Sequence, residues 1–294
     1  MTDRPPRLSV VIPSYERPAQ LEACLRAMAA QRLAREEFEV IVVDDGSARP
    51  PRELVEQFRR DLNVRLLEQS NAGPAAARGS GARQAQGTHV VFTDDDCRPD
   101  PLWLGALSSC IAVHPDAAVG GRIVNDLGAR LCSTASQLLI EFLYRHHNPN
   151  DAESRFLITS NLALPLSAFL AIGGFDATFP LAAGEDRDLC ERWREAGHPM
   201  VYCPDAVVAH AHDLGVWSFL GQHFNYGRGA HHLHRARARR GQGRFRLESV
   251  GFYARLIFFP FGSEPVVRAL LLSNLLALSQ LAYAAGYVFE RFRR

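Results

Sequence analysis

Three consecutive carboxylates, Asp94-Asp95-Asp96, follow the apolar run Val90-Val91-Phe92, which is typical of a buried strand. Adjacent like charges repel each other, so this triplet is unfavourable at a strand end unless a cation neutralises it. Carboxylate oxygens are hard ligands that suit Mg²⁺ or Mn²⁺, and these metals commonly join protein carboxylates to substrate phosphates. The triplet therefore indicates a divalent metal site, with a solvated acidic turn as the alternative.

Polar residues also follow two earlier apolar runs. Pro13-Ser14-Tyr15-Glu16 comes after residues 8–12, and Asp44-Asp45 comes after residues 40–43. In an open parallel sheet, ligands bind outside the carboxyl ends of the strands. We therefore expect these two loops and the acidic triplet to line one crevice.

Strands and helices alternate along the first third of the chain. Apolar runs predict strands over residues 8–12, 40–43, 64–67 and 89–93, and helical spacing predicts helices between them, including residues 75–86. Such alternation predicts an α/β fold with a mostly parallel sheet flanked by helices. The second half is less regular; the pattern predicts strands over 118–124 and 207–212 and a helix that opens at Glu185-Asp186 and stops near Gly197.

Composition excludes several classes of protein. The 294 residues suffice for one large α/β domain with an appendage, and a net charge of +1 gives no reason to expect nucleic acid. No Gly-x-Gly-x-x-Gly follows the first strand and no Walker sequence occurs, which disfavours dinucleotide oxidoreductases and P-loop enzymes. The six cysteines are scattered without a Cys-x-x-Cys pair, as in reduced cytosolic proteins, and the first apolar run is too short for a signal peptide. We therefore expect a cytoplasmic location.

Taken together, six motifs resemble family 2 glycosyltransferases with the GT-A fold, over roughly residues 8–230. They occur in the family's order: Val10-Val11-Ile12-Pro13-Ser14-Tyr15, Val42-Val43-Asp44-Asp45-Gly46-Ser47, Asn71-Ala72-Gly73-Pro74-Ala75-Ala76-Ala77-Arg78, Asp94-Asp95-Asp96, Gly173-Gly174-Phe175-Asp176 and Gly184-Glu185-Asp186-Arg187-Asp188-Leu189. The resemblance implies an enzyme of the hexosyltransferase type. It would transfer one sugar from a nucleoside diphosphate sugar, commonly a UDP-sugar, to an acceptor hydroxyl in cell-surface glycan synthesis.

The resemblance also implies which residues bind the donor. They are Pro13, Ser14, Tyr15, Glu16, Asp44, Asp45, Gly73, Arg78, Asp94 and Asp95. Asp45 would hydrogen-bond the base, with capping of a helix as the alternative. Glu16 departs from the Asn common in the family, and Arg78 would contact the base or phosphates unless it is a surface arginine.

The same resemblance implies a metal site and a general base. Asp96 would ligate Mn²⁺ or Mg²⁺, Asp94 would reach the ribose or a metal-bound water, and His210 would add a ligand unless it is structural. Asp95 would point back into the fold. Asp186, with Glu185 beside it, would deprotonate the acceptor hydroxyl and invert the anomeric configuration; the alternative is that both residues cap a helix.

Processive synthases of this family carry Gln-x-x-Arg-Trp. This chain has Gln222 but lacks the Arg-Trp pair, which favours transfer of a single sugar. Gln222 and Arg228 would touch the diphosphate or the acceptor, or else belong to a purely structural helix.

Composition changes after residue 230, so we divide the chain into a GT-A domain, 1–230, and an extension, 231–294. The extension begins with a segment rich in His and Arg, predicted to be a basic loop, and continues with apolar stretches over 252–261 and 266–289. The last stretch is long enough to span a bilayer. A pair of helices lying on the inner face of the cell membrane, or a helix that closes the core or a homodimer, fits as well. Membrane association would suit a lipid-linked or membrane-proximal acceptor.

Two other functions compete with glycosyl transfer. A nucleotide-sugar pyrophosphorylase should have a Gly-rich basic loop after the first strand, where this chain has Pro13-Ser14-Tyr15. A non-catalytic protein that binds nucleotide sugar or scaffolds a membrane complex would not need Asp45, Asp96 and Asp186 together.

Overall fold

The computed structural model describes residues 6–148, 150, 152–179, 181–242 and 248–293. Within these residues, eight strands form one sheet. Its first half contains β1 (Leu8–Ser14), β2 (Phe38–Asp44), β3 (Val64–Glu68) and β4 (His89–Phe92), in the order β3-β2-β1-β4 and all parallel. Every residue of β1 and β2 is buried, because helices cover both faces of the sheet. The four predicted strands are confirmed.

The second half of the sheet is mixed. It contains β5 (Cys97–Pro99), β6 (Ala118–Asn125), β7 (Leu162–Pro165) and β8 (Met200–His210). The order continues β4-β7-β6-β8-β5; β7 runs antiparallel to β4 and β6, and β5 runs antiparallel to β8. Strand β8 begins well before the predicted residue 207 because a register shift opposite Gly121/Arg122 lets the strand pass Pro204.

Helices cover the sheet on both sides. They are α1 (Pro18–Ala29), α2 (Arg52–Phe58), α3 (Pro74–Gln84), α4 (Trp103–Val113), α5 (Leu131–His147), α6 (Leu166–Ala171) and α7 (Glu185–Glu195). One core joins α1, α2 and α4 to the sheet, and a second joins α3, α6 and α7 to the opposite face. The predicted α/β fold flanked by helices is confirmed.

Three further helices follow: α8 (Val216–Arg239), α9 (Val250–Phe258) and α10 (Val266–Phe292). The basic loop predicted from residue 231 is wrong as far as Arg239, because α8 continues through it and the boundary at 230 falls inside this helix. Leu233 and Ala236 lie one helical turn apart and pack with Phe179, which accounts for the continued helix. Residues 243–247 of the basic segment lie outside the described residues.

Helix α10 packs along α8. A Cβ atom on Gly227 would lie 1.9 Å from the carbonyl oxygen of Tyr283, and one on Gly286 would lie 1.9 Å from that of Phe224. At each of these two contacts, a glycine of one helix therefore lies directly against a backbone carbonyl of the other. In the part of the chain that is described, α10 is the one helix whose length and composition would let it cross a membrane.

Candidate active site

The acidic triplet lies where β4 ends, and its three side chains have different partners. Asp94 accepts a hydrogen bond from Arg78 Nη2 at 2.6 Å, and Asp95 accepts one from Ser14 Oγ at 2.9 Å. Arg17 Nη1 lies 3.3 Å from Asp95 and 3.2 Å from Asp96. Asp95 is the member that points into the fold, where burial raises its pKa to about 6 against the opposing charge of Arg17.

Asp96 forms the part of the triplet best suited to a metal. Because β5 pairs with β8, Cys97 lies opposite His210, and His210 Nε2 donates to Asp96 Oδ1 at 3.0 Å. Burial by itself would raise the pKa of Asp96, but the hydrogen bond from His210 and the nearby His and Arg17 charges lower it, so Asp96 is ionised.

The donor atoms fit a divalent cation. Ligand atoms of Asp96, Cys97 and His210 lie within 4.8 Å of one another. Cys97 is fully buried, which together with neighbouring carboxylates raises the pKa of its thiol, so it is a poor ligand. A carboxylate oxygen and an imidazole nitrogen remain. Burial by itself would lower the pKa of His210, but Asp96 raises it, so the imidazole binds Mn²⁺ by giving up the proton that it shares with Asp96.

Arg78 joins the acidic triplet to the start of α7. Its side chain is only 5% exposed, and its guanidinium donates to Asp94 on one side and to Glu185 Oε1, at 3.2 Å, on the other. The alternative of a surface arginine is therefore wrong. Helix α3 can carry Arg78 so deep because Gly81 lets it approach the sheet: a Cβ there would lie 2.4 Å from Val11 Cγ1.

Glu185 and Asp186 form the first turn of α7. Gly184, before them, has a φ of +90°, which lets the chain turn sharply into the helix. Glu185 is buried, whereas Asp186 is partly accessible and its Oδ1 accepts from the Arg187 amide at 2.7 Å. Burial raises the pKa of both carboxyls, and for Glu185 the charge of Asp186 adds to the effect. A raised pKa brings a carboxylate closer to what a general base requires near neutral pH.

The two carboxylates at the end of β2 differ in their contacts. Asp45 accepts from Gln69 Nε2 at 2.7 Å, from the Ala72 amide at 2.9 Å and from the Gly73 amide at 2.8 Å. It thereby holds the loop that leads into α3. Asp44 Oδ2 accepts from the Ser47 amide at 3.1 Å, and its Oδ1 has no partner among the described residues.

The loop after β1 is tied to the turn after β2. Glu16 has a φ of +55°; its amide donates to Ser47 Oγ at 2.9 Å, and its Oε1 accepts from the Ala48 amide at 2.6 Å. Pro13 and Ser14 are buried in β1, whereas the Tyr15 side chain is half exposed beside the crevice. The Glu16 side chain therefore stabilises the contact between these two loops by accepting the hydrogen bond from Ala48.

Sequence reasoning missed two residues at this site. Arg17 directly follows the β1 loop. Because β1 and β4 are adjacent parallel strands, the residues that follow them lie close together, so the prediction that these loops line one crevice was sufficient to place Arg17 near the acidic triplet. Tyr226 accepts from Gln222 Nε2 at 2.5 Å, and burial raises its pKa, together with the charges of Asp186 and other nearby carboxylates. Tyr226 is on α8, and no local pattern shows that α8 returns to the crevice.

Arg228 is directed away from the crevice. Its Nε donates to Glu290 of α10 at 2.6 Å. The structural interpretation of Arg228 is therefore the correct one.

Carboxylates lie at the end of β2, at the end of β4 and at the start of α7, on a mixed sheet covered by helices. This combination of fold and site is that of a GT-A glycosyltransferase. The family model of Glycosyl transferase family 2 matches residues 9–170, more than half of the chain. The chain therefore belongs to glycosyl transferase family 2 and is a glycosyltransferase that uses nucleotide sugars.

Curated relatives support this assignment. Glycosyltransferase AglE of Haloferax volcanii is 28% identical over 233 residues, which cover 78% of this chain and 74% of that protein. Validoxylamine A glucosyltransferase of Streptomyces hygroscopicus subsp. jinggangensis is 30% identical over 68% of this chain. The pre-mycofactocin glycosyltransferase of Mycobacterium tuberculosis is 31% identical over 75% of it. The chain spans 54% and 46% of these last two proteins, so they have additional regions.

Solved structures share the fold. The mannosyltransferase PcManGT of Pyrobaculum calidifontis, in complex with GDP-Man and Mn²⁺, has a TM-score of 0.67 at 20% identity, covering 99% of this chain and 88% of that one. Residues 1–349 of Staphylococcus aureus TarS, in complex with UDP-GlcNAc, have a TM-score of 0.57 at 19% identity, covering 97% and 90%. These likenesses confirm the GT-A fold.

Proposed function

We propose that this protein transfers a single hexosyl group from a nucleoside diphosphate sugar, a UDP-sugar by preference, to an acceptor hydroxyl with inversion at the anomeric carbon, in cell-surface glycan synthesis. The observation that carries the proposal is the Arg78 bridge. It connects Asp94, at the donor end of β4, with Glu185, beside the candidate base, in one buried network. The donor carboxylates and the base therefore share one crevice.

The donor lies across the ends of β1, β2 and β4. Asp44 and Asp45 face the base, Tyr15 lines the base and ribose, and Asp94 reaches the ribose with the oxygen that Arg78 leaves free. Asp96 and His210 would hold Mn²⁺ or Mg²⁺, and the cation would supply positive charge that stabilises the diphosphate leaving group. The metal site is supported by the pairing of an ionised carboxylate, Asp96, with an imidazole, His210.

Asp186 removes the proton from the acceptor hydroxyl as that oxygen attacks the anomeric carbon. Its Oδ2 has no hydrogen-bond partner among the described residues, so it is available to the acceptor. The bond from the acceptor oxygen forms as the bond to the diphosphate breaks, and attack from the opposite face inverts the configuration. Its position at the N-terminus of α7 favours the ionised form, while burial keeps it basic.

The acceptor lies at a membrane surface, on the cytoplasmic side. Helix α10 supports this because one face is exposed and mostly apolar, with Asn274 as a polar exception. Its apolar residues lie at helical spacing: Val267, Leu270, Leu271, Leu278, Leu281, Val288 and Phe292. Exposed Arg291 and Arg293 follow at its end, where they would meet anionic headgroups. The opposite face packs on α8 and α5, so α10 lies along the surface of the protein. The alternative to a membrane is that a second copy of the chain covers the exposed face.

Calorimetric titration of UDP, GDP and dTDP into the purified protein, first with Mn²⁺ and then with EDTA, tests the donor site. We expect one diphosphate to bind tightly with Mn²⁺ and at least about tenfold more weakly with EDTA, because the cation that Asp96 would help to hold would attract the diphosphate. An Asp96→Asn variant should bind as weakly as the wild type in EDTA. Equal binding with and without Mn²⁺ would refute the metal site, and a folded protein that binds none of the three would refute the donor site.

A further inference from the structure

A small basic cavity lies between the loop before α7 and helix α8, and it has no part in the proposed transfer so far. Its volume is about 200 Å³, and its described lining residues are Thr178, His232, Arg235 and Arg239. Thr178 belongs to the loop before α7, and the other three lie on one face of α8, three and four residues apart. Its lining thus consists of two guanidinium groups, an imidazole and a hydroxyl.

Arg235 differs from the neighbouring arginines of α8 and from Arg240, which directly follows the helix. Arg228 pairs with Glu290, Arg237 pairs with Glu191, and Arg240 pairs with Asp188 and Glu191. Arg235 has no ion pair among the described residues and is exposed. Charge is therefore left unbalanced at this one part of the helix.

One carboxylate, Asp176, lies near the cavity. It is 3.8 Å from Arg239 and is also bonded by Thr178, whose amide donates to it at 2.8 Å. A single half-satisfied carboxylate does not neutralise two guanidinium groups, and Arg239 remains 60% exposed on its side chain. An anion with several acceptor oxygens would complete the set, since guanidinium donors match phosphate oxygens in pairs.

The size of the cavity limits what it can hold. A volume of about 200 Å³ is below the roughly 300–1,000 Å³ of pockets that hold drug-sized molecules, so it suits a phosphate group and not a nucleoside. Gly229 of α8 touches Ala183, two residues before Glu185: a Cβ on Gly229 would lie 2.0 Å from the Ala183 carbonyl oxygen. Arg235 is about 9 Å along the helix axis from that contact, at a rise of about 1.5 Å per residue.

We infer that this cavity binds a phosphate group of the sugar acceptor. It lies between the loop before α7 and the C-terminal half of α8, whereas the donor loops come from β1, β2 and β4. His232 also donates to Glu290 of α10 at 3.1 Å, which ties the cavity to the helix with the exposed apolar face. The inference rests on the proposed function, because it assigns the acceptor of that transfer to phosphate-bearing molecules.

Titration of inorganic pyrophosphate in EDTA tests the cavity without the metal-dependent donor site. We expect the wild type to bind it and the Arg235→Ala/Arg239→Ala variant to bind it about tenfold or more weakly, because two charge-assisted contacts are lost. The matched control is Arg60→Ala/Arg194→Ala, which removes the same charge from two exposed positions. Equal binding by the wild type and the Arg235→Ala/Arg239→Ala variant, or none by the wild type, would overturn the inference.

Sedimentation with phosphatidylcholine vesicles, with and without phosphatidic acid, separates the two sources of phosphate. If the group is a lipid headgroup, the extra binding that phosphatidic acid produces should be lost in Arg235→Ala/Arg239→Ala and kept in the control. If the loss is confined to pyrophosphate, the cavity takes a soluble phosphate. Binding of UDP or GDP with Mn²⁺ should stay unchanged in the variant; if even the wild type binds no nucleotide, the proposed function fails independently of the cavity.

Discussion

Arg78 makes it possible to bury several carboxylates together. It lies between Asp94 and Glu185, with Asp186 close enough to affect the pKa of the arginine. Removing one partner of such a network leaves uncompensated charge in a low-dielectric site, which commonly costs about 3–5 kcal/mol. Glu185, the neighbour of the candidate base, is therefore held in place by a residue that belongs to the donor side of the crevice.

Asp186→Asn should strongly reduce turnover and spare nucleotide binding. The amide keeps the size of the side chain but cannot accept the acceptor's proton, so kcat should fall about 10²- to 10⁴-fold. Turnover by a coupled assay for the released diphosphate, together with calorimetry of UDP or GDP, measures both effects. Retained kcat would show that another group is the base.

Asp44 and Asp45 should respond differently to the same change. Asp45→Asn keeps one acceptor oxygen and replaces the other with an NH₂ group, so one of the Ala72 and Gly73 amides loses its acceptor and the free energy of unfolding should fall by about 1–3 kcal/mol. Asp44→Asn alters the carboxylate with an unpartnered oxygen, so it should chiefly weaken nucleotide binding. Urea denaturation and calorimetry of both variants check this; a purely structural pair would show stability losses and unchanged affinity.

The pH dependence of stability should reveal the buried Glu185. Because burial and Asp186 raise its pKa in the folded state, the folded protein binds more protons than the unfolded chain above pH 4.5. Stability contributed by the neutral form is therefore complete below that pH and is lost as pH rises through the folded pKa. Glu185→Gln, which does not titrate, should flatten this decline in urea denaturation, whereas the exposed control Glu53→Gln should keep the wild-type slope.

At the scale of elements, the contact of α8 with α10 depends on glycine. Gly227 and Gly286 each face a backbone carbonyl of the partner helix, so any side chain would force the helices apart. Arg228 and His232 of α8 add hydrogen bonds to Glu290 of α10. The same helix α8 carries Tyr226 at the crevice, so this contact positions part of the site.

Gly227→Ala should destabilise the protein by about 1–3 kcal/mol or more, because the new methyl group would meet the Tyr283 carbonyl. Gly221→Ala is the matched control on the same helix, where a Cβ meets nothing within 4 Å. The control should instead raise stability by about 0.5–1 kcal/mol, since alanine favours helix over glycine. Thermal unfolding of both variants measures the difference; equal effects would refute the close contact.

At the scale of the whole molecule, the exposed face of α10 lies opposite the face that packs on α8. The fold leaves no described element to cover Leu278, which is 44% exposed, or Leu281, which is 68% exposed. A lipid surface would bury this face and bring the crevice close to a membrane-bound acceptor.

Leu278→Glu/Leu281→Glu should reduce binding to phosphatidylglycerol vesicles while leaving nucleotide binding intact. Acidic side chains oppose both burial in lipid and approach to anionic headgroups. Leu102→Glu/Val113→Glu is the control, since it makes the same change at two exposed apolar positions, one directly before α4 and one at its last residue. Unchanged vesicle binding would contradict membrane docking, and a wild type that is a dimer dissociated by the α10 variant would assign the face to a second copy.

The sequence alone determined the strands β1–β4, the α/β class, the family and the set of acidic loops. These follow from local patterns: apolar runs of strand length, helical spacing between them, and short motifs in a known order. Long-range pairing decided the rest. The antiparallel course of β7, the early start of β8 past Pro204 and the continuation of α8 through the basic segment each depend on partners distant in sequence.

The same division holds at the site. Sequence indicated Asp94, Asp96 and Asp186 because unpaired carboxylates at strand and helix ends are chemically unusual. Only the tertiary structure showed that Arg78 is buried between two of the acidic segments and that Arg17 meets the triplet. A side chain's charge is readable from its residue type, but its burial and its ion-pair partners are properties of the folded chain, because residues far apart in sequence supply them.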